Sequence, residues 1–455
     1  MKTTSRLTKP TDVLVQRLNA SLPQDLRLHE EDIEVRKGWA KALLTLGILN
    51  AEEYQALIDG LQAIRSEFGT GEFSTLPSDD SVHSAIERRL GEIIGPVAEK
   101  LQTGSSRSDH SATAFRMWVM RACDRLMEHA RGLQKALLAS ADEGLDTPMP
   151  GYTHMQRAQP TTWGHWILSH FWPLVRDVER LQLVRERAAV LPLGAGAMAG
   201  TSYRVDRRGL ATDLGFRSVA PNSIDAVGDR DFAAEFAFAA ALTAIHLSRL
   251  CEQLILYCSS EFGFIELDDA FITFSGVMPQ KRNPEALELT RAKAGRLLGQ
   301  LTGLLAMLKA LPSAYDRDLQ EDKLPVFDAF DTLSLVLPVV AGAITTLTLH
   351  PERMASRLDP ELMSADLADY LVAKGLPNKQ AFDLVALAVR LAERRHVTLA
   401  QLSKDDLQSV SNLFDEDVAE VFDVRRALAH RLVEGGTAPE ALRFQMEQAR
   451  AWLAK

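Results

Sequence analysis

One short stretch, SGVMPQKRNP at Ser275–Pro284, concentrates side chains that can do chemistry. Ser275 carries a hydroxyl that can transfer a proton, and Lys281 carries a positive charge. Asn283 suits a helix N-cap and Pro284 suits the first helical position, so a helix is predicted to begin here. Free N–H groups at a helix N-terminus favour anions. The stretch therefore predicts a loop that binds an anion and moves a proton, with an ordinary capped loop as the alternative.

Two further polar stretches precede predicted helices. In TGSSRSDH, at 103–110, Arg107 offers a planar guanidinium that suits a carboxylate, and an N-capping cluster with a surface arginine is the alternative. In GYTHMQRAQP, at 151–160, His154 lies in a polar loop where it can transfer a proton, although a lone histidine is more often structural. Glu288 lies one turn into the helix after the first stretch, where the helix dipole favours any glutamate.

Long helical stretches with few breakers must position these groups. They cover 112–141, 161–189, 232–260, 284–311 and 326–346, and strand signals are scarce. Helices well beyond the ~11-residue mean fit a bundle that buries faces against partner subunits. The glycines of LPLGAGAMAGTS, between two of these helices, are spaced one residue too far apart for a dinucleotide loop, so close packing or a turn is predicted there.

Composition excludes several classes of protein. The 455 residues are 46% hydrophobic and 25% charged with a formal net charge of -10, which is typical of a soluble globular protein and argues against general nucleic-acid binding. Three cysteines without a CxxC pair favour a reducing compartment. The N-terminus lacks an apolar signal-peptide core. The apolar run 236–259 includes His246, Arg249 and Glu252, so a buried bundle helix is predicted rather than a membrane span. His83 and Glu87 lie one turn apart without a third ligand nearby in sequence, so no metal site is predicted.

The Ser275–Pro284 stretch resembles the signature GSSxMPxKxNP of the fumarase/aspartase superfamily, whose members eliminate an amine or water from a succinyl group and release fumarate. GYTHMQRAQP is similar to that superfamily's second conserved region. The resemblance implies a mainly helical fold whose central five-helix domain assembles into a tetramer core. It also implies roles for six residues: Ser275 as the base, Lys281 and Asn283 as stabilisers of the charge that develops, Thr153 as a carboxylate ligand, His154 as the donor to the departing nitrogen, and Glu288 as the partner of His154.

Other stretches resemble the argininosuccinate lyases within that superfamily. TGSSRSDH is similar to their HTGRSRNDQ, which implies that Ser106 and Arg107 hold the succinyl carboxylate. SAYDRDLQEDKLP, at 313–325, is similar to their AYNRDLQEDKEP, and LNASLPQDLRLHEEDI, at 18–33, matches as well. Fumarase and aspartase lack these last two stretches. They imply contacts to the amino-acid end of the arginine moiety from Ser21, Asp25, Tyr315, Gln320 and Lys323.

The chain also departs from the family pattern. Ser105 stands where arginine is usual and Ser108 where asparagine is usual, while His110 replaces glutamine and Gly228 replaces serine. Ser81 replaces an aspartate, and Gly276 replaces the second serine of the signature. These departures leave two alternatives to cleavage of argininosuccinate. One is a related carbon–nitrogen lyase that acts on a different N-succinyl amine, and the other is an inactive structural paralogue. Retention of the proton-transfer residues and Lys281 argues against the second.

The expected protein is thus all-α, with an N-terminal helical domain at 1–107, a central bundle at 108–349 and a C-terminal helical domain at 350–455. The expected reaction is elimination of fumarate from argininosuccinate to give arginine, without a cofactor or metal. The expected assembly is a homotetramer whose active sites draw on three subunits, in the cytoplasm, with no nucleic-acid or membrane partner. Residues 269–283 are expected to form a mobile lid.

Overall fold

The computed structural model describes residues 11–454, so most of the N-terminal segment that lacks a signal-peptide core lies outside the described residues. Within them the α-helices are α1 (Val13–Asn19), α2 (Leu22–Asp25), α3 (His29–Thr45), α4 (Ala51–Thr70), α5 (Val82–Ile94), α6 (Arg107–Glu143), α7 (Trp163–Leu168), α8 (Phe171–Ala188), α9 (Arg207–Asp213), α10 (Ser223–Gly228), α11 (Asp231–Cys258), α12 (Glu285–Leu308), α13 (Lys323–Thr346), α14 (Pro351–Ala355), α15 (Ser364–Ala373), α16 (Asn378–Arg395), α17 (Lys404–Gln408), α18 (Val424–Ala429) and α19 (Pro439–Leu453). Short 3-10 helices cover Leu26–Leu28, Gly95–Gln102, Asp269–Phe271, Arg317–Asp322, Pro360–Met363, Leu399–Gln401 and Glu416–Phe422.

Strands are few and short, as the sequence predicts. They are β1 (Pro148–Thr153), β2 (Gln156–Thr162), β3 (Val190–Leu191), β4 (Ser218–Val219), β5 (Ile265–Glu266), β6 (Thr273–Phe274), β7 (Arg282–Asn283) and β8 (Thr348–Leu349). β1 pairs antiparallel with β2, β6 with β7 and β5 with β8, while β3 and β4 are parallel. Two of these pairs are hairpins that carry polar stretches singled out from the sequence.

The predicted long helices are present, with two differences. The stretch 161–189, predicted as one helix, is instead divided among three elements. β2 continues to Thr162, α7 covers Trp163–Leu168, and α8 begins at Phe171 after Ser169 and His170. Pro173 explains the break, since proline has no N–H and its ring clashes with the carbonyl group four residues earlier, at Ser169. The helix after the signature also begins later than predicted. Asn283 ends β7, and the Pro284 carbonyl oxygen accepts the first helical hydrogen bonds, so Pro284 rather than Asn283 occupies the N-cap position.

The chain divides into two compact units, which are described separately. Among the described residues, unit 1 comprises 11–127, 179–242 and 295–334, and unit 2 comprises 128–178, 243–294 and 335–454. Unit 2 contains a separate apolar core of C-terminal helices, in which residues of α15 and α16 such as Leu371 and Ala388 are fully buried together with Phe414. The three-domain division remains a prediction.

Two helical segments are long and apolar enough to cross a membrane by length and composition: α11, and Arg317–Thr346, which includes α13. About half of each apolar window, 56% and 44%, is buried inside the chain. Both segments therefore have an apolar face inside the protein, as bundle helices do. All three cysteines are unpaired, and burial raises the pKa of each thiol, which disfavours the reactive thiolate.

The glycine-rich linker after β3 binds a carboxylate of the protein itself. Asp109 Oδ2 accepts hydrogen bonds from the N–H groups of Gly194, at 2.9 Å, and Gly196, at 2.8 Å. Both glycines have positive φ, and a Cβ on Gly194 would lie 3.0 Å from the Arg207 side chain. The linker is therefore a turn with close packing, as predicted, and it fixes the first turn of α6.

Candidate active site

Ser275 lies in the loop of the β6–β7 hairpin, in unit 2. Its Oγ accepts hydrogen bonds from the N–H groups of Met278, at 3.1 Å, and Val277, at 3.3 Å. The Ser275 N–H in turn donates to the Lys281 carbonyl oxygen, at 3.3 Å. Because two N–H dipoles point at Oγ, this oxygen is in an environment that stabilises negative charge.

Hydrogen bonds and an ion pair hold the base of the β6–β7 hairpin, and its tip is exposed to solvent. Arg282 donates to the Leu267 carbonyl oxygen, at 2.6 Å, and pairs with Asp269, at 2.8 Å. Lys281 and Val277 are exposed, and the Val277 side chain retains 88% of its accessible surface. The fixed base and exposed tip suit a segment that contacts something outside the chain.

His154 lies at the tip of the other hairpin in unit 2, between β1 and β2. Thr153 pairs with Gln156, so His154 and Met155 form a two-residue turn, and both have positive φ, 54° and 59°. Two-residue turns with positive φ favour asparagine and glycine, because other residues are strained in this backbone conformation. Backbone strain of this kind is often found at functional sites. The turn exposes both Thr153 and His154.

Both strands of this hairpin are anchored within unit 2. The Tyr152 ring packs against Phe262 with 5.6 Å between centroids, and Arg157 pairs with Asp359. Among residues 11–454 the His154 side chain forms no hydrogen bond, and Glu288 is exposed on the first turn of α12. The structure of the single chain does not bring His154 and Glu288 into contact, so their pairing remains a prediction.

Ser106 and Arg107 lie at the start of α6, in unit 1. Ser106 Oγ accepts from the Ser108 N–H, at 3.3 Å, and Asp109 accepts from the Ser106 N–H, at 3.0 Å, so the helix start is capped in both directions. Arg107 is exposed and lies 3.0 Å from Asp80. Gly104 is required here, because a Cβ would lie 2.5 Å from the Tyr203 ring.

The residues assigned to the amino-acid end come together, although they lie far apart in sequence. A cavity of about 70 Å³ in unit 1 is lined by Ser21, Asp25, His83, Arg107, Ser108, Ser111, Tyr315, Arg317, Gln320 and Lys323. Asp25 is buried and accepts a hydrogen bond from Ser21, but its Oδ1 has no partner in the described chain. A buried carboxylate oxygen without a partner is costly, so it is poised for a cationic group of a ligand.

Positive charge in this cavity comes from Arg107, Arg317 and Lys323, of which only Lys323 is buried. The Lys323 ammonium group lies 2.8 Å from Asp322, which also pairs with the buried Arg230. Lys323, Asp322 and Arg230 are all buried, and their two positive charges against one negative charge leave an excess of one positive charge. The cavity thus offers a carboxylate at Asp25 and net positive charge at Lys323, which matches the ammonium and carboxylate groups of an amino acid.

Arg317 and Ser111 also line this cavity, and neither was predicted from the sequence. Arg317 lies in the 3-10 helix between Tyr315 and Gln320, and it donates to the Asn19 carbonyl oxygen, at 2.6 Å. Ser111 follows Arg107 by one helical turn on α6, so helical spacing could have identified it. The underlying Arg230–Asp322 pair joins distant segments, and no sequence pattern identified it.

Two of the departures from the family pattern, Ser81 and Gly228, have local explanations. Ser81 caps α5 through reciprocal hydrogen bonds with Ser84. Gly228 admits the Ala314 carbonyl oxygen, which would lie 2.5 Å from a Cβ at that position, and so allows the turn before Tyr315. Gly276 has open space around it, so the structure does not require glycine there.

Two family models match the chain: one described as Lyase over residues 5–299, and one described as Argininosuccinate lyase C-terminal over residues 361–429. The argininosuccinate lyase of Roseiflexus sp. (strain RS-1) is 52% identical over 98% of this chain and 98% of its own length. That of Schizosaccharomyces pombe is 46% identical over 98% of this chain and 97% of its own. The chain belongs to the argininosuccinate lyase family of the fumarase/aspartase superfamily.

Solved structures agree with this membership. A crystal structure of EDDS lyase in complex with formate has a TM-score of 0.85 and 28% identity, covering 95% of this chain and 87% of that chain. An EDDS lyase variant with bound fumarate has a TM-score of 0.83 and 27% identity, covering 99% and 93%. A class II fumarase from Schistosoma mansoni, 16% identical with a TM-score of 0.77 over 92% and 94%, shares the fold. The family and the helical fold expected from the sequence are thereby confirmed.

Proposed function

We propose that this protein cleaves argininosuccinate to arginine and fumarate. The observation that carries this proposal is the 52% identity to a protein named argininosuccinate lyase over nearly the full length of both chains. The unit 1 cavity adds support, because it offers opposite charges suited to the amino-acid end of arginine. The product arginine points to a role in arginine biosynthesis.

The first chemical step is removal of a proton from the succinyl Cβ, the carbon next to the one that carries the guanidino nitrogen. Ser275 acts as the base in its alkoxide form, which the N–H groups of Val277 and Met278 stabilise. Proton removal places a second negative charge on the succinyl carboxylate. Lys281, Asn283 and the N-terminus of α12 stabilise that charge, which is the main electrostatic demand of the reaction.

The second step breaks the carbon–nitrogen bond and forms the double bond of fumarate. His154, oriented by Glu288, supplies the proton to the departing guanidino nitrogen, either directly or through water. Thr153, Ser106 and Arg107 hold the succinyl carboxylates. No redox change occurs and the atoms balance without a cofactor.

The amino-acid end of the substrate binds in the unit 1 cavity. Asp25 Oδ1 accepts a hydrogen bond from the α-ammonium group, which gives this buried oxygen the partner it lacks. Lys323, Tyr315 and Gln320 bind the α-carboxylate, and Ser21 keeps Asp25 oriented. These contacts select arginine as the amine part of the substrate.

The active enzyme is a homotetramer whose active sites combine residues from three subunits. Large apolar side chains remain exposed along three long helices: Phe238 and Ile245 on α11, Leu289, Leu298 and Leu305 on α12, and Leu324 and Leu335 on α13. Three glycines on α12 at four-residue spacing, Gly295, Gly299 and Gly303, face open space and allow close approach of another helix. Such faces suit burial against further copies of the same chain.

Light scattering tests the assembly, with an expected mass four times the 50.3 kDa of one chain. Sites shared between subunits also predict complementation: mixing inactive Ser275→Ala chains with inactive His154→Asn chains restores part of the activity. An active monomer, or no recovery after the two variants are unfolded and refolded together, contradicts the shared site.

Release of fumarate from a panel of N-succinyl amines tests the substrate assignment. Argininosuccinate should be cleaved with the highest kcat/KM. Efficient cleavage of EDDS without cleavage of argininosuccinate would favour the alternative carbon–nitrogen lyase. The unpaired cysteines and the metabolic role suit the cytoplasm.

A further inference from the structure

Three buried side chains from three helices of unit 1 converge beside the amino-acid cavity. They are Asp32 of α3, His83 of α5 and His110 of α6, with 0%, 5% and 8% of their surfaces exposed. One ligand-type atom from each, Asp32 Oδ2, His83 Nδ1 and His110 Nε2, lies within 4.8 Å of the other two. Asp32 Oδ2 lies 3.0 Å from His110 Nε2 and also contacts His83 Nδ1, so this one oxygen joins the two imidazoles.

The other oxygen of Asp32, Oδ1, accepts a hydrogen bond from Arg36. Arg36 Nε donates to Asp32 Oδ1, at 2.6 Å, and Arg36 also donates to the His83 carbonyl oxygen, at 3.1 Å. Arg36 therefore orients the carboxylate and the start of α5 together, and leaves Oδ2 directed at the two imidazoles. Hydrogen bonding of this kind to a carboxylate ligand is typical of metal sites, where it fixes the ligand's direction.

The charges around the cluster favour a cation as its ligand. Asp32 and Glu87 carry two negative charges against the single positive charge of Arg36, and Arg107 is paired with Asp80. An anion would gain no uncompensated positive charge here.

We propose that Asp32, His83 and His110 bind one divalent transition-metal ion of the Zn²⁺ type. Two imidazole nitrogens and one carboxylate oxygen are a ligand set that such ions prefer, and three ligands leave one position of a tetrahedron for water. In a tetrahedral site at ~2.0–2.2 Å per bond, ligand atoms lie about 3.4 Å apart. Asp32 Oδ2 lies 3.0 Å from His110 Nε2 and closer than that to His83 Nδ1, so it would move outward as an ion enters between the three side chains. A cavity of about 310 Å³ beside the cluster is lined by His83, His110 and Ser105.

The ion would stabilise the fold and the wall of the amino-acid cavity, and it would take no part in the elimination itself. It would tie together α3, α5 and α6, which carry Asp32, His83 and His110. His83 also lines the amino-acid cavity, so a bound ion would fix one wall of the substrate site. No sequence pattern indicates this set, because its members are far apart in the chain and only the fold brings them together.

Titration of the chelator-treated full-length protein with Co²⁺ tests the proposal, since Co²⁺ held by nitrogen and oxygen ligands absorbs visible light. One Co²⁺ should bind per chain with a tetrahedral-type spectrum, and Zn²⁺ should displace it. His110→Gln should weaken binding at least about 100-fold, since loss of a ligand should exceed the 10–100-fold cost of losing an outer contact. Glutamine is usual at this position in the family, so the variant should fold. His430→Gln, which removes an exposed histidine of unit 2, is the matched control and should leave binding unchanged.

Thermal unfolding gives an independent measurement. Zn²⁺ should raise the unfolding temperature of the wild type and of His430→Gln but not that of His110→Gln. Absence of stoichiometric Co²⁺ binding to the wild type would overturn the proposal and leave the cluster as a buried hydrogen-bonded network. Equal binding to wild type and His110→Gln would overturn it as well, because the ion would then bind elsewhere.

Discussion

Replacing Asp25 with asparagine removes one negative charge from the amino-acid cavity while keeping the size of the side chain. Asp25 is 6% exposed, and its Oδ1 has no partner in the described chain. In the proposed complex this oxygen accepts a hydrogen bond from the substrate α-ammonium group. A hydrogen bond to a charged group contributes ~1.5–3 kcal/mol. At about 1.4 kcal/mol per factor of ten, kcat/KM should fall by about 10- to 100-fold.

The loss should appear in KM rather than in kcat. The α-ammonium group lies at the far end of the substrate from the bond that breaks, so Asp25 binds the ground state and the transition state almost equally. Initial rates are followed by the ultraviolet absorbance of fumarate over a range of argininosuccinate concentrations. Asp318→Asn is the matched control, because Asp318 is exposed in the 3-10 helix that carries Gln320, and its rates should match the wild type.

A substrate analogue that lacks the α-amino group makes the test specific. Asp25→Asn should hardly change kcat/KM for this analogue, because the analogue has no α-ammonium group to contact Asp25. A large fall in kcat with unchanged KM would contradict the proposed contact between Asp25 and the α-ammonium group. An equal loss of kcat/KM for argininosuccinate and the analogue would contradict it as well. The first result would give Asp25 a part in the chemistry, and the second would make its effect structural.

Three further predictions test other parts of the account. Ser275→Ala should lower kcat at least ~10²-fold with little change in substrate binding or assembly, and near-normal turnover would remove Ser275 as the base. Gly228→Ala should lower the unfolding temperature, because its Cβ would lie 2.5 Å from the Ala314 carbonyl oxygen and overpacking costs ~1–3 kcal/mol. It should also raise KM, because the displaced turn precedes Tyr315 of the amino-acid cavity. Gly132→Ala is the control, since Gly132 has open space around it, and it should not raise KM. Burial lowers the pKa of His170 from 6.5 to about 4, so its contribution to stability is present above pH 6.5 and lost as the pH falls through 4. The unfolding temperature of His170→Gln should therefore fall less than that of the wild type over this range, and equal slopes would contradict the assignment.

The helical fold could be predicted because the long apolar periodic stretches leave few alternatives. The break before α8 was missed even though Pro173 marks it, since the apolar pattern on both sides of the proline is helical. The extension of β2 to Thr162 depends on pairing with Pro148, and a local pattern carries no information about that partner. Long-range pairing overrides local preference at such boundaries.

The candidate site could be predicted only in part. Short motifs identified Ser275, His154 and Lys323, because their neighbours in sequence are distinctive. The charge balance of the amino-acid cavity could not be predicted, since it depends on Arg230 reaching Asp322 from a distant segment. Contacts of this kind arise from the packing of whole helices, which residue spacing along one helix does not determine.

Product analysis shows whether the protein cleaves argininosuccinate to arginine and fumarate. Purified protein should release arginine and fumarate in equal amounts, and the Ser275→Ala variant prepared in the same way should release neither above background. Release of fumarate from another N-succinyl amine, with none from argininosuccinate, would contradict the proposed function.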